Sequence, residues 1–93
     1  MFAVVVRESG DPKMIDGSRE LVETNVVPRT SKAPGFVSAV WMTDRAGGTL
    51  NVLVFESEET ASTALTRVRE APRPGFMRLE SVDLYEVLAD ARS

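Results

Sequence analysis

The chain contains neither cysteine nor histidine among its 93 residues. Without cysteine it can form no disulfide, thiolate nucleophile, thiolate-bound zinc site or iron–sulfur cluster. Without histidine it lacks the commonest metal ligand and the commonest general base, and no imidazole is present to bind haem iron. We therefore expect no metal site and no bound cofactor.

The sequence also lacks a long apolar run and a surplus of basic residues. No stretch approaches the roughly 20 apolar residues of a membrane span, and no basic region precedes the apolar start of the chain, so we expect no signal peptide. Eleven Lys and Arg residues stand against 14 Asp and Glu, a net charge of −3. An arginine stretch that includes Arg73 is interrupted by Glu70 and Glu80 and is interpreted as solvated surface. We predict a cytoplasmic protein that binds neither membranes nor nucleic acid.

A β-hairpin is the most distinct local pattern that the sequence does contain. Two runs of apolar and β-branched residues flank a turn cluster at 44–48 that ends in Gly47-Gly48, which predicts antiparallel strands joined by a short turn. One strand precedes this hairpin and another follows it, and the length of the last predicts a bulge or a break near Ser81–Asp83. The four predicted strands are Phe2–Arg7, Phe36–Thr43, Leu50–Phe55 and Phe76 to about Leu88.

Two helices are predicted between these strands. The first runs from Lys13 to about Lys32 behind an Asp11 cap, and Pro28 should kink it or end it near Val27. The second begins after Ser57 as N-cap and ends near 71. The first helix carries an apolar stripe at helical spacing: Met14, Ile15, Leu21, Val22 and Val26.

An internal repeat arranges these elements into a fold. Phe2–Ser9 aligns with Leu50–Ser57, both ending in Glu-Ser, and Pro34-Gly35-Phe36 aligns with Pro74-Gly75-Phe76. Two βαβ halves joined by the hairpin predict one ferredoxin-like α+β domain over residues 1–93. Its four-stranded antiparallel sheet would have the order 4-1-3-2, with both helices on one face.

The second face of that sheet would stay apolar and uncovered. It is expected to carry members of the set Ala3, Val5, Leu53 and Phe55. In a monomer this would be an exposed apolar patch of the kind that marks an interface. We therefore predict a homodimer in which sheet packs on sheet about a two-fold axis.

At this point the chain resembles the dimeric α+β barrel proteins, particularly antibiotic-biosynthesis-monooxygenase-like domains. The features that carry the resemblance are the βαββαβ order, the Pro34-Gly35-Phe36 entry to the second strand, Trp41 late in that strand, and the passage from Phe55 through Glu58 into the second helix. The resemblance implies a dimeric barrel and a scaffold used by cofactor-independent oxygenases and by haem-degrading enzymes. Because the latter bind iron through histidine, its absence argues against haem here.

The resemblance also implies a ligand site, because related oxygenases hold a polycyclic phenol with a tryptophan and an asparagine. Here these would be Trp41 and Asn51, on adjacent strands of the hairpin. A three-residue turn places Trp41 on one face with Asn51 and Phe55, whereas a two- or four-residue turn places it with Leu50 and Val52. The alternative is a tryptophan in the core and an asparagine at a solvated strand end.

Three further residues are candidate ligand contacts. Arg7, at the end of a central strand, could hold a carboxylate or phenolate, or pair with a surface carboxylate. Tyr85 could donate to a ligand oxygen or lie at an interface, and Phe55 would extend the apolar wall. No catalytic residue is assigned. We expect a cofactor-independent monooxygenase acting on an aromatic or polyketide-like molecule, or alternatively a non-catalytic homodimeric ligand-binding or accessory module.

Overall fold

The computed structural model describes residues 1–93 and is organised around one four-stranded sheet. Its strands are β1 (Phe2–Gly10), β2 (Phe36–Thr43), β3 (Gly48–Phe55) and β4 (Met77–Glu86). They pair antiparallel in the order β2-β3-β1-β4. This is the predicted 4-1-3-2 order, and the two most uniformly apolar strands are central, so the ferredoxin-like α+β fold is confirmed.

The first helical segment, residues 12–31, is continuous across Pro28 but irregular. It consists of α1 (Pro12–Gly17), α2 (Arg19–Leu21), a π-helical turn (Val22–Val26) and α3 (Val27–Ser31). Asp11 caps its start, as predicted, by accepting from the N–H groups of residues 13 and 14. Pro28 lies in the first turn of α3, directly after the π turn, so the N–H it lacks falls where the backbone hydrogen bonds change from the π to the α pattern. The helix therefore passes the proline by widening into a π turn before it, and does not end near Val27.

The irregular turns change which side chains of this segment are buried. Ile15 is buried, and Val22 and Val26 are half-buried. Met14 and Leu21, however, are each 53% exposed. The predicted five-residue stripe is wrong for these two. Met14 is one residue, about 100° of rotation, from the buried Ile15, and Leu21 follows the break at residue 18, which shifts the rotational phase of the helix.

The second helix, α4 (Glu58–Glu70), begins with the cap that the sequence predicts. Ser57 Oγ accepts from the Thr60 N–H at 3.1 Å, and Thr60 Oγ1 accepts from the Ser57 N–H at 3.4 Å. The cap packs against the start of β2, since the Gly35 carbonyl accepts from the Glu56 N–H at 2.8 Å. A Cβ added to Gly35 would lie 2.5 Å from Thr60 Oγ1. The entry to β2 and the start of α4 are thus fitted to each other.

The helices cover one side of the sheet, here called the helix-facing side. α4 packs on β1, β3 and β4, and α3 packs on β2. Phe55 is 1% exposed and meets the edge of Phe36, with ring centroids 6.2 Å apart and planes at 83°. The buried cluster on this side comprises Val4, Val6, Leu53, Phe55, Ala61 and Val82.

The other side, here called the open side, carries no helix. Leu53 and Phe55 are not on it, which corrects the expectation for those two. They pair with Val4 and Phe2, whose side chains face the helices. Ala3 and Val5 do occupy the open side, as expected. The apolar residues on it are Ala3, Val5, Val40, Met42, Leu50, Val52, Val54 and Tyr85.

β4 contains a bulge close to the predicted place. Arg7 pairs with Ser81 and Glu8 pairs with Leu79, so that Glu80 is left out of the strand pairing with β1. The irregularity therefore falls at the residue just before the predicted range of 81–83. It adds one residue to β4 at the same end of the sheet as the β2–β3 turn.

The two glycines matched in the repeat should respond differently to substitution. Gly35 has φ +76°, and its missing Cβ would collide with Thr60, whereas Gly75 has open space around it. We expect Gly35→Ala to lower the free energy of unfolding by about 2 kcal/mol, since an L-residue is strained in the left-handed region. Gly75→Ala, the matched control, should change it by less than about 0.5 kcal/mol. If urea denaturation gave the same loss of unfolding free energy for both variants, the requirement for glycine at 35 alone would be contradicted.

Candidate functional site

The turn between β2 and β3 determines which residues meet on the sheet. The Asp44 N–H donates to the Gly48 carbonyl at 3.0 Å, which leaves three residues between them. Two of the three have positive φ, Arg45 at 66° and Gly47 at 100°. Asp44 Oδ1 accepts from the N–H groups of Ala46 at 2.7 Å and Gly48 at 2.9 Å. The hairpin therefore has a three-residue turn, which is the register that places Trp41 and Asn51 on the same face of the sheet.

Asp44 stabilises this turn as a carboxylate. The N–H of Ala46, followed by that of Gly48, holds the pKa of Asp44 below its ordinary value. Both hydrogen bonds are stronger to the ionised group than to the protonated one. The turn, and with it the register of the hairpin, is favoured by the ionised form of Asp44.

Trp41 lies directly opposite Asn51 in this register, on the helix-facing side. Both are half-buried, and Trp41 packs against the edge of the core. No group in the chain pairs with Trp41 Nε1 or with Asn51 Oδ1, and no fully buried polar side-chain atom lacks a partner. Both atoms are therefore reachable from solvent. The Trp41–Asn51 pair thus carries one free donor and one free acceptor on directly opposite residues.

An ion pair borders the Trp41–Asn51 pair. Asn51 Nδ2 donates to Glu8 Oε1 at 3.4 Å, and Arg73 Nε donates to Glu8 Oε2 at 2.7 Å. The Glu8 and Arg73 side chains are only 15% and 17% exposed. Arg73 also donates to the carbonyls of Val68 at 2.8 Å and Ala71 at 3.1 Å, at the end of α4.

Arg73 was missed by the sequence analysis, which interpreted it as solvated surface. Its partner Glu8 is 65 residues away, so no local spacing relates them. The one local signal is its position between Pro72 and Pro74, directly after the end of α4. Two prolines restrict the backbone there and favour a fixed position for the intervening side chain.

The five predicted ligand contacts do not form one site. Trp41 and Asn51 meet, whereas Phe55 is sealed in the core opposite Phe2, four residues along β3 from Asn51. Arg7 and Tyr85 point to the open side, because side chains alternate along a strand and both pair with open-side neighbours. The structure thus brings two of the five together and adds Glu8 and Arg73.

Two open depressions adjoin the turn end of the sheet. One, of about 490 Å³, lies between the turn and the start of β4 and is lined in part by Gly47, Phe76 and Met77. The other, of about 590 Å³, lies between α1 and the turn and is lined in part by Lys13 and Arg45. Neither is lined by Trp41 or Asn51, and both are open to solvent.

Two structural features bear on metals and membranes. No cluster of three or more carboxylates stands at metal-binding distances, in a chain that has no cysteine or histidine to add. No helix has the length and hydropathy that crossing a bilayer requires.

Comparisons with known proteins identify the fold. No family model and no curated protein matches the sequence. Among solved structures, a monooxygenase from the gene ActVA-Orf6 of Streptomyces coelicolor, in complex with nanaomycin D, is similar with TM-score 0.64 and 20% identity over 99% of this chain and 91% of that chain. The haem degrader MhuD of Mycobacterium tuberculosis, with two haems in its active site, has TM-score 0.61 and 15% identity over 99% and 100% of the two chains.

A point mutant of MhuD with two manganese protoporphyrins per active site is also similar, with TM-score 0.58 and 15% identity over 98% of this chain and 99% of that chain. At such identities the likeness establishes the fold alone. The resemblance drawn from the sequence is therefore confirmed at the level of the fold, which supports many unrelated activities.

The turn should make stability depend on pH through Asp44. A carboxyl whose pKa is lowered in the folded protein contributes stability above its unfolded pKa, and that contribution is lost as the pH falls through the folded pKa. We expect wild type to be more stable than Asp44→Asn at neutral pH, and the difference to shrink in acid. Urea denaturation at several pH values measures this.

Asp90→Asn, in the exposed C-terminal tail, is the control for removal of one charge. A difference between wild type and Asp44→Asn that stays constant from neutral pH into acid would contradict the role given to the ionised carboxylate.

Proposed function

We propose that the protein binds a planar aromatic small molecule against the Trp41–Asn51 pair and oxygenates it without a cofactor. The observation that carries this proposal is the pair itself. A half-buried indole with a free N–H pairs across the strands with a residue that carries a free amide oxygen, on the side of the sheet that the helices cover. Because this N–H is reachable from solvent, a ligand acceptor would take the place of the water that otherwise bonds it.

The packing of the helices supports a ligand at this place. α4 packs on three strands, but the first helical segment packs on the sheet mainly through α3 on β2. Its earlier turns leave Met14 and Leu21 half exposed. Exposed apolar side chains on this segment are candidates for cover by a ligand.

The proposed chemistry uses the electrons of the substrate. An aromatic compound with an acidic CH2 group forms a delocalised carbanion, which reacts with O2. The carbon loses two hydrogens and gains one oxygen atom as a carbonyl, and the second oxygen leaves as water. The indole N–H of Trp41 would stabilise negative charge on the substrate oxygen. The similar fold of a monooxygenase in complex with nanaomycin D supports this substrate class.

A second candidate is the non-catalytic ligand-binding or accessory module. It is favoured by one observation: Glu8, the carboxylate that Asn51 contacts, is already bound by Arg73 and Asn51. A base held in this way is poorly placed to take a proton from the substrate. Consumption of O2 during turnover of a bound anthrone would separate the two candidates.

We further propose that a second copy of the chain covers the open side of the sheet. Val40, Met42 and Tyr85 are 52%, 42% and 54% exposed there, and they flank the valines of the central strands. A sheet face of this composition is normally packed on another layer. Tyr85 and Arg7 would then lie at the interface and not at the ligand.

Binding can be measured through Trp41, the only tryptophan. We expect 2-hydroxyanthraquinone to quench its emission saturably. Asn51→Ala should weaken binding about fivefold, the effect of one hydrogen bond. Trp41→Phe, followed by calorimetry because the fluorophore is gone, should weaken it further through loss of ring area and the N–H.

Thr66→Ala is the control, because Thr66 is exposed on α4 and its hydroxyl bonds only within that helix, to the Ser62 carbonyl. Binding that is unchanged in both Asn51→Ala and Trp41→Phe would show that the ligand lies elsewhere.

The assembly is tested by placing a charge on the open side. We expect wild type to give a dimer in native mass spectrometry, and Val40→Asp to give a monomer, because a buried unpaired carboxylate opposes association. Thr66→Asp places the same charge on the exposed face of α4 and should leave the dimer intact. A monomeric wild type would refute the proposed interface.

A further inference from the structure

We propose that Glu8 determines which ligands the site prefers, by turning the Asn51 amide so that its oxygen faces the ligand and selects a hydroxyl donor. The inference rests on the proposed binding site at the Trp41–Asn51 pair. Glu8 is a positioning residue in this scheme, because it acts through Asn51 and does not itself touch the ligand.

Glu8 fixes the direction of the Asn51 side-chain amide. An ionised carboxylate can only accept hydrogen bonds, so the Asn51 group that faces it must be the NH2. Nδ2 is 3.4 Å from Glu8 Oε1. Glu8 belongs to β1, on one flank of β3, and Trp41 belongs to β2, on the other. The amide oxygen is on the opposite branch from the nitrogen and therefore faces the Trp41 side. No group in the chain donates to it.

Arg73 holds the Glu8 carboxylate in place. Its other oxygen accepts from Arg73 Nε at 2.7 Å, and both side chains are mostly buried. Arg73 is itself fixed by the carbonyls of Val68 and Ala71. Positive charge is favourable at the C-terminal end of a helix. The carboxylate thus has a fixed counter-ion, and movement away from Asn51 would leave the mostly buried charge of Arg73 without one.

The fixed amide gives the site a preference between phenols and their methyl ethers that the Trp41–Asn51 pair alone would not have. A free asparagine can rotate to donate or to accept, so it would bind a phenol and its methyl ether alike. With the nitrogen held by Glu8, the group presented is an acceptor, which a phenolic O–H can satisfy and an ether oxygen cannot. The site should favour hydroxylated aromatic ligands over their ethers by about fivefold, the effect of one hydrogen bond.

The experiment compares 2-hydroxyanthraquinone with 2-methoxyanthraquinone by quenching of Trp41, at a pH where the phenol is protonated. Wild type should bind the hydroxy compound about fivefold more tightly. In Glu8→Gln the new amide can donate or accept, so Asn51 can turn and the ratio should fall to about one. Glu8→Gln keeps the shape of the side chain and an acceptor for Arg73. Glu86→Gln is the control, because Glu86 is exposed and pairs with Phe2 at the far end of the sheet.

A second variant tests whether a loss of preference in Glu8→Gln comes from the Asn51 hydrogen bond or from a disturbed fold. Asn51→Ala should also bring the ratio to about one, and combining it with Glu8→Gln should add nothing, since both act on the same hydrogen bond. An unchanged ratio in Glu8→Gln, or equal binding of both probes to wild type, would overturn this inference but leave the binding site standing. Absence of quenching by either probe would overturn the binding site itself and this inference with it.

Discussion

The register of the β2–β3 hairpin is the constraint on which the rest of the structure depends. Side chains alternate along a strand, so a slip of one residue would move Trp41 away from Asn51 and to the open side. Asp44 prevents the slip by binding two backbone N–H groups inside the turn. The exposed turn therefore controls the candidate site, although no ligand need touch it.

A second constraint acts across the chain. The Glu8–Arg73 ion pair joins the end of β1 to the segment after α4, and Arg73 also binds the last carbonyls of that helix. The helix, the central strand and the Trp41–Asn51 pair are thereby fixed relative to one another. The Glu8–Arg73 ion pair therefore joins elements of the fold and also sets the direction of the Asn51 amide.

The sequence predicted the architecture better than the site, for physical reasons. Strand and helix order follow from local periodicity and from the repeat, and the capping pattern at Ser57 is likewise local. The faces of individual residues do not follow, because they depend on register and on irregular turns. Leu53 was in the set from which the open side was expected to be built, and Met14 was expected on the apolar stripe of the first helix, but Leu53 faces the helices and Met14 is half exposed. Gly35 and Gly75 match in sequence, yet only Gly35 has a conformation that requires glycine.

The chemistry of the candidate site places a demand on its ligand. The Trp41–Asn51 pair can orient an aromatic ring and stabilise charge, but the neighbouring carboxylate is committed to Arg73. A proton that leaves the substrate must therefore be one that the substrate releases readily, as an acidic CH2 or phenol does. An enzyme built in this way would owe its rate to positioning and to charge stabilisation in a partly dry site, and not to a strong base. The same arrangement with a less acidic ligand would only bind it, so the reactivity of the ligand separates the oxygenase from the accessory module.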